Sequence, residues 1–326
     1  MSLKRVISFF MACVLFTSIV PGIEMMDVQG INGSFSGGNG TSANPYIIED
    51  VWDLQNMSGN LSAFYILKND INASATINWN SGAGFVPVGS SANKFIGSLD
   101  GKNHTIAGLF INRSATNYVG LFGYIYTDGS IKNLGLVDNN ITGRGFVGGL
   151  IGYARNCIVE KSYASGNLTG TDYVGGLVGY LDNTTINNSY AMGNVKITGN
   201  NAGGLVGFNE GIINNSYASG NFSGNSYVGG LAGENVVGKV FNSYAAGTMT
   251  GNSYVGGLVG FISIGTISNS FYNINKTLLN GKNIITIGGL FDSQYQDWYS
   301  SSFSLNISDY SATLIPSGEY YNILNF

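Results

Sequence analysis

The 326-residue chain has little charge, one histidine, two cysteines and four prolines. Charged side chains make up 10% of it, well under half the share of an average soluble domain. Apart from Lys4-Arg5, its 14 basic residues stand singly, so nothing can neutralise a run of phosphates, which argues against a nucleic-acid partner. With His104 as the single imidazole, most His-based metal and acid–base sites are excluded. Prolines 21, 45, 87 and 316 and tryptophans 52, 79 and 298 fall outside the repeated part of the chain. That fits a ladder of strands, because proline removes a ladder donor.

What the chain has in plenty is glycine, 49 residues, and apolar side chains, 44%. That apolar share is ample for a core and excludes a disordered polar chain. The amino terminus carries Lys4 and Arg5 before an apolar run from Val6 to Val20. Such a short run reads as a secretory signal over 1–22, cut after Gly22, because a spanning helix needs about 20 residues. Removal of Cys13 with that signal leaves Cys157 alone and no intrachain disulfide. A lone cysteine in a repeat strand reads as a small apolar filler.

One unit is copied in series. Gly120-Leu121 recurs as Gly149-Leu150, Gly176-Leu177, Gly204-Leu205, Gly230-Leu231 and Gly257-Leu258. Ser162-Tyr163 recurs as Ser189-Tyr190, Ser216-Tyr217 and Ser243-Tyr244, then Ser270-Phe271, at a step of 27 residues. Three residues before each serine stand Val159, Ile186, Ile213, Val240 and Ile267, and four after the first four stand Gly166, Gly193, Gly220 and Gly247. Runs of four to seven residues separated by Gly, Asn and Asp read as strands and turns. They are too rich in glycine for helices, where each costs about 1 kcal/mol. Three short strands and three turns fill one copy. If each copy is one coil, equal positions stack about 4.8 Å apart. The period therefore predicts an all-β fold, a right-handed parallel β-helix with coils of about 27 residues and short capping elements. A propeller blade would need about 40–45 residues.

The phrase from Tyr173 to Gly179, repeated from Tyr227 to Gly233 and from Tyr254 to Gly260, resembles the GLUG motif, as do the following Asn-Ser-Tyr-Ala runs such as Asn215 to Asn221. The resemblance covers roughly 117–277. It implies a β-helical stalk of the kind found in large secreted and surface-attached, adhesin-like proteins, and in the non-catalytic part of certain immunoglobulin A peptidases. Upstream, Asn44 to Ile48, Asn69 to Ile71 and Leu99 to Ile106 resemble the opening coils that precede such repeats. The organisation read from the chain is thus a signal at 1–22, a cap and first coils at 23–116, the repeats at 117–277, and a C-terminal cap or further module at 278–326. Glu49 to Met57 is expected to be a short capping helix with Val51, Leu54 and Met57 on one side.

Catalytic chemistry is hard to place. Paired carboxylates serve glycan cleavage, but none of the 18 acids recurs at the period. Asp50 with Asp53, and Asp292 with Asp297, are expected at helix ends. Glu160 and Lys161 are neighbours in one strand and should point to opposite faces. His104 is expected in an exposed turn. The sequence contains no His-Glu-x-x-His and no phosphate-binding loop, and it calls for no cofactor or metal. Two columns are candidates for binding. Tyr163, Tyr190, Tyr217 and Tyr244 would form an aromatic ladder suited to sugar rings or to mutual stacking. Asn140, Asn167, Asn183 and Asn221 lie in Asn-x-Ser/Thr triplets and could accept glycans or hold turns. A Thr face for ice is not expected, because Thr169, Thr198 and Thr250 do not hold one column. The expected function is a non-enzymatic secreted or cell-surface rod that binds glycans or envelope partners. The rival is a β-helix polysaccharide lyase or hydrolase.

Overall fold

A computed structural model describes residues 35–281; the signal read at 1–22 and nearly all of the region read as a C-terminal cap lie outside the described residues. Each repeat winds once around a core. In one representative coil the strand Ile158–Glu160 leads to Tyr163–Gly170, then Asp172–Gly175, then back to Val178–Asn187. These strands belong to three sheets: two extend over most of the described rod, and the third runs from Gly145–Gly148 to Ser253–Gly256. All registered pairings between their strands are parallel and join one coil to the next. The chain is an all-β parallel solenoid. The spacing of 27 residues reappears in the bonds between coils, as from the Ser162 N–H to the Ser189 hydroxyl.

The stacking of equal positions follows from that register. Val159 pairs with Ile186, Ile186 with Ile213, Ile213 with Val240 and Val240 with Ile267. The first four are buried, and Ile267 packs against the core from the last coil. Inward columns of Ala164, Ala191, Ala218 and Ala245, and of Leu150, Leu177, Leu205, Leu231 and Leu258, fill the rest of each coil. Burying one such aliphatic side chain is worth about 1.5–3 kcal/mol. A column need not be uniform. Leu168, Val195, Phe222 and Met249 share one, and a Cβ on Gly204 would lie 2.6 Å from the Phe222 ring. Glycine at 204 makes room for the largest member.

The serine marker turns a corner. Residues Lys161, Asn188, Asn215, Asn242 and Asn269 take left-handed backbone, and the next residue is the serine. Its hydroxyl donates to the carbonyl two residues back, 2.7 Å to Asn214 for Ser216, and accepts the N–H of the preceding coil's serine, 3.2 Å from Ser189. Ser162, Ser189, Ser216, Ser243 and Ser270 thus form a buried chain of hydrogen bonds. A buried polar group left unpaired costs about 1–3 kcal/mol, which accounts for the strictness of the marker.

The helix forms at Val51–Asn56 and continues as a 3-10 turn through Gly59. The Asp50 carboxylate accepts the N–H groups of Trp52 and Asp53, and Asp53 accepts that of Glu49, a reciprocal N-terminal cap. Val51, Leu54 and Met57 are buried as expected. The helix lies between the paired strands Tyr46–Ile48 and Phe64–Leu67, so it is built into the first coil. His104 differs from expectation: it is half-buried, with Nδ1 3.2 Å from the Asp70 carboxylate. The strand ends at Glu160 and Lys161 turns the corner, so these two do not converge.

Gly166, Gly193, Gly220 and Gly247 hold φ between +128° and +149°. A Cβ on Gly220 would sit 1.7 Å from the Gly193 carbonyl oxygen. Gly220→Ala should therefore destabilise the rod by about 3 kcal/mol through strain and overpacking. Gly59→Ala, which meets open space, should be nearly neutral. Thermal melting followed by circular dichroism measures both; equal shifts would contradict the column.

Candidate binding face

The predicted tyrosine ladder is present. Tyr163 and Tyr190 stack at 4.6 Å with 4° between ring planes, and Tyr190 and Tyr217 at 4.8 Å with 11°. Tyr244 pairs with Tyr217 in register. The rings cover one another's faces, and Tyr163 leans over Gly135, where a Cβ would lie 2.5 Å from it. Edges and hydroxyls, rather than faces, are therefore turned outward. Burial, then the neighbouring Tyr163 and Tyr217, pushes the Tyr190 phenol up to about 12.

Asn140, Asn167, Asn183 and Asn221 are exposed. Two of them spend their amide on a ladder. Asn183 Nδ2 donates to Asn156 Oδ1 at 2.8 Å, and Asn221 Nδ2 to Asn194 Oδ1 at 2.9 Å. Asn167 accepts from Asn194 at 2.8 Å, and Asn140 pairs with Asn167 in register. Beside them runs a column of Thr142, Thr169, Lys196, Ser223 and Thr250, so a lysine interrupts the threonines and Thr198 stands outside.

The largest aromatic feature escaped the sequence reading. Tyr118, Phe146, Tyr173, Tyr227 and Tyr254 all hold φ between +54° and +63°. Left-handed backbone costs an L-residue roughly 1–2 kcal/mol, and a bulky ring there is an outlier. Ring contacts offset the strain. Tyr118 stacks on Phe146 at 4.9 Å and Phe146 on Tyr173 at 5.0 Å. A second column, Tyr124, Tyr153, Tyr180 and Phe208, runs alongside at 4.6, 4.8 and 4.6 Å. The two interlock, as where Phe146 meets Tyr153 and Tyr180, both at 5.8 Å. Each such contact adds about 0.5–1.5 kcal/mol. The sequence signal was the aromatic two residues before the Gly-Gly of four copies, Phe146, Tyr173, Tyr227 and Tyr254; nothing local betrays its left-handed backbone.

Carboxylates flank this zipper. Tyr153 donates to Asp182 and Tyr180 to Glu210, both at 2.9 Å. Burial, then these acceptors, raises both phenols far above their ordinary range. Arg155 lies 3.2 Å from Asp182. Two successive coils are exceptional: Asn201 replaces an aromatic in the first column and Glu234 one in the second, and Asn201 Nδ2 donates to Glu234 Oε2 at 2.6 Å. Burial raises the Glu234 carboxyl despite that bond. Elsewhere, Asp100 is engaged by Lys102, Lys132 and Asn133. Among the described residues no cluster of His, Cys, Asp and Glu could hold a metal.

Cys157 is buried, and desolvation lifts its thiol to about 12 from an ordinary value of 9.0. The folded chain thus keeps protons at Cys157 and Tyr190 that the unfolded chain gives up near pH 9 to 10. Their contribution to stability is complete below that range and is lost as pH rises toward 12. Urea midpoints should fall between pH 9 and 11, and Cys157 should react with iodoacetamide at pH 8 only after unfolding. Fast labelling of the native chain would contradict the buried placement.

Comparison with known proteins agrees with this architecture. Residues 145–169 and 170–196 match the GLUG motif. A protein of Evansella cellulosilytica named as a Gly-rich membrane protein is 37% identical over 157 residues, covering 46% of this chain and 18% of that protein. Halomucin of Haloquadratum walsbyi is 44% identical over 119 residues, covering 34% of this chain and 1% of its own length. The chain thus matches under a fifth of either relative. A crystal structure from Bacteroides ovatus, named for an immunoglobulin A1 protease, shares the fold with a TM-score of 0.60 at 23% identity, covering 79% of this chain and 85% of that one. The repeated coil described above thus carries the GLUG motif over residues 145–169 and 170–196.

Proposed function

We propose that the chain is a non-enzymatic rod of a secreted or cell-surface protein, displaying repeated side faces to glycans or envelope partners. The carrying observation is that like side chains stack coil upon coil on the outer faces, in the asparagine, tyrosine and double aromatic columns. Such an arrangement repeats one weak contact many times along a stiff axis, which multiplies affinity without a deep pocket. The carboxylates fit the same reading. Asp50 and Asp53 cap a helix, Asp100 faces two lysines, and Asp182 is held by Tyr153 and Arg155. The names of the relatives, a membrane protein and halomucin, support a surface address. The signal read at 1–22 would deliver the chain there, and the exposed Asn140, Asn167, Asn183 and Asn221 would be glycan acceptors on the rod.

The test incubates purified chain with isolated cell envelopes and a polysaccharide array, and assays the same polysaccharides for new reducing ends. Retention without cleavage is expected. Cleavage of any polysaccharide would replace this reading with the lyase or hydrolase one, and retention on nothing would remove the adhesive role.

A further inference from the structure

We propose that the break in the aromatic zipper is a slot for one ring of a neutral pyranose oligosaccharide. The proposal deepens the adhesive reading and rests on it for the source of the sugar. In the left-handed column the stack Tyr118, Phe146, Tyr173 stops at Asn201 and resumes with Tyr227 on Tyr254 at 4.9 Å. The companion column stops after Phe208, where Glu234 stands in register, and resumes at Phe261. The two replacements touch each other, so the gaps merge into one. Tyr173 and Phe208 then border it from one side, Tyr227 and Phe261 from the other.

The dimensions suit a sugar. Omitting one ring leaves roughly 10 Å between the flanking rings, twice the coil spacing. Asn201 is only 4% exposed and donates to the Glu234 carboxylate, so a sugar ring would enter above that pair, between the flanking rings. A pyranose set between the rings would lie about 5 Å from each, the ordinary distance between aromatic centroids. Its C–H faces would meet Tyr173 and Tyr227, whose contacts with Phe208 and Phe261 are edge-on or tilted rather than stacked. Its hydroxyls would meet the half-buried Glu234 and, beside it, Glu210, which Tyr180 orients. Hydrogen bonds to ionised acceptors are the stronger kind. Those same carboxylates repel a uronate or sialyl group, which is why a neutral sugar is specified. Every other position of the two columns from Tyr118 to Phe261 holds a ring, so the slot occurs once in the described rod and is not a by-product of the repeat.

The test uses the full chain with cellohexaose and chitohexaose as probes, and with a galacturonate hexamer and a lysine-rich peptide as competing chemistries, read by saturation-transfer NMR and calorimetry. The double variant Asn201→Tyr with Glu234→Phe installs what the other coils carry. It should melt no lower than the parent and bind the neutral hexasaccharide at least tenfold more weakly. Tyr227→Ala should weaken binding similarly, and the uronate should not compete. Binding of neither neutral hexasaccharide by the parent, equal binding by the filled variant, or binding of the peptide alone would overturn the slot. On cell envelopes, equal retention of parent and filled variant would overturn the slot while leaving the adhesive reading in place. Retention of neither would overturn both.

Discussion

Every feature of this rod depends on parallel pairing in register, one coil against the next. Because the coil length is nearly constant, each residue meets its own counterpart above and below rather than a partner of different chemistry. That constraint acts separately on each column. A column of Val and Ile can close a core, a column of serines can pass hydrogen bonds along a corner, and asparagine amides can chain one to another. A column of glycines is needed where a Cβ would strike the carbonyl of the coil beneath. Like charges in one column repel at this spacing; the in-register Asp182 and Glu210 each accept a tyrosine hydroxyl, and most of the outer columns described carry neutral amides, hydroxyls and rings. Low charge and high glycine are thus consequences of the pairing.

Much of this was readable beforehand. The Val159 to Ile267 column, the serine corner and the glycine column were all visible as residues at one period, because each demands a single chemistry at one place. The double aromatic zipper was not. Its first column changes among Tyr, Phe and Asn, and its second, always four residues after the glycine of the Gly-Leu marker, changes among Tyr, Phe and Glu, so neither repeats a single residue at its place. Its backbone is also contrary to local preference. Left-handed positions normally select Gly or Asn, and only the ring contacts between coils, invisible in a local window, account for Tyr and Phe there. His104 was misjudged for a similar reason: its partner Asp70 is 34 residues away.

A regular solenoid is informative where regularity fails. Lys196 interrupts the threonine column, Gly135 ends the tyrosine ladder, and Asn201 with Glu234 opens the zipper. A structural role alone would favour the repeated residue at each such point. The first two breaks are isolated. In the third, two substitutions from different strands, 33 residues apart in sequence, meet in one hydrogen bond. Paired replacement of that kind makes the face of the rod distinct at one height, which a purely periodic surface cannot do.

The register itself can be measured directly. Asn194 and Asn221 are exposed neighbours on adjacent coils, their amides 2.9 Å apart, whereas Asn167 and Asn221 are two coils apart. Cysteines placed at 194 and 221 should oxidise readily to a disulfide, mapped by mass spectrometry, and cysteines at 167 and 221 should not. Equal crosslinking of both pairs, or none between 194 and 221, would contradict coil-on-coil stacking.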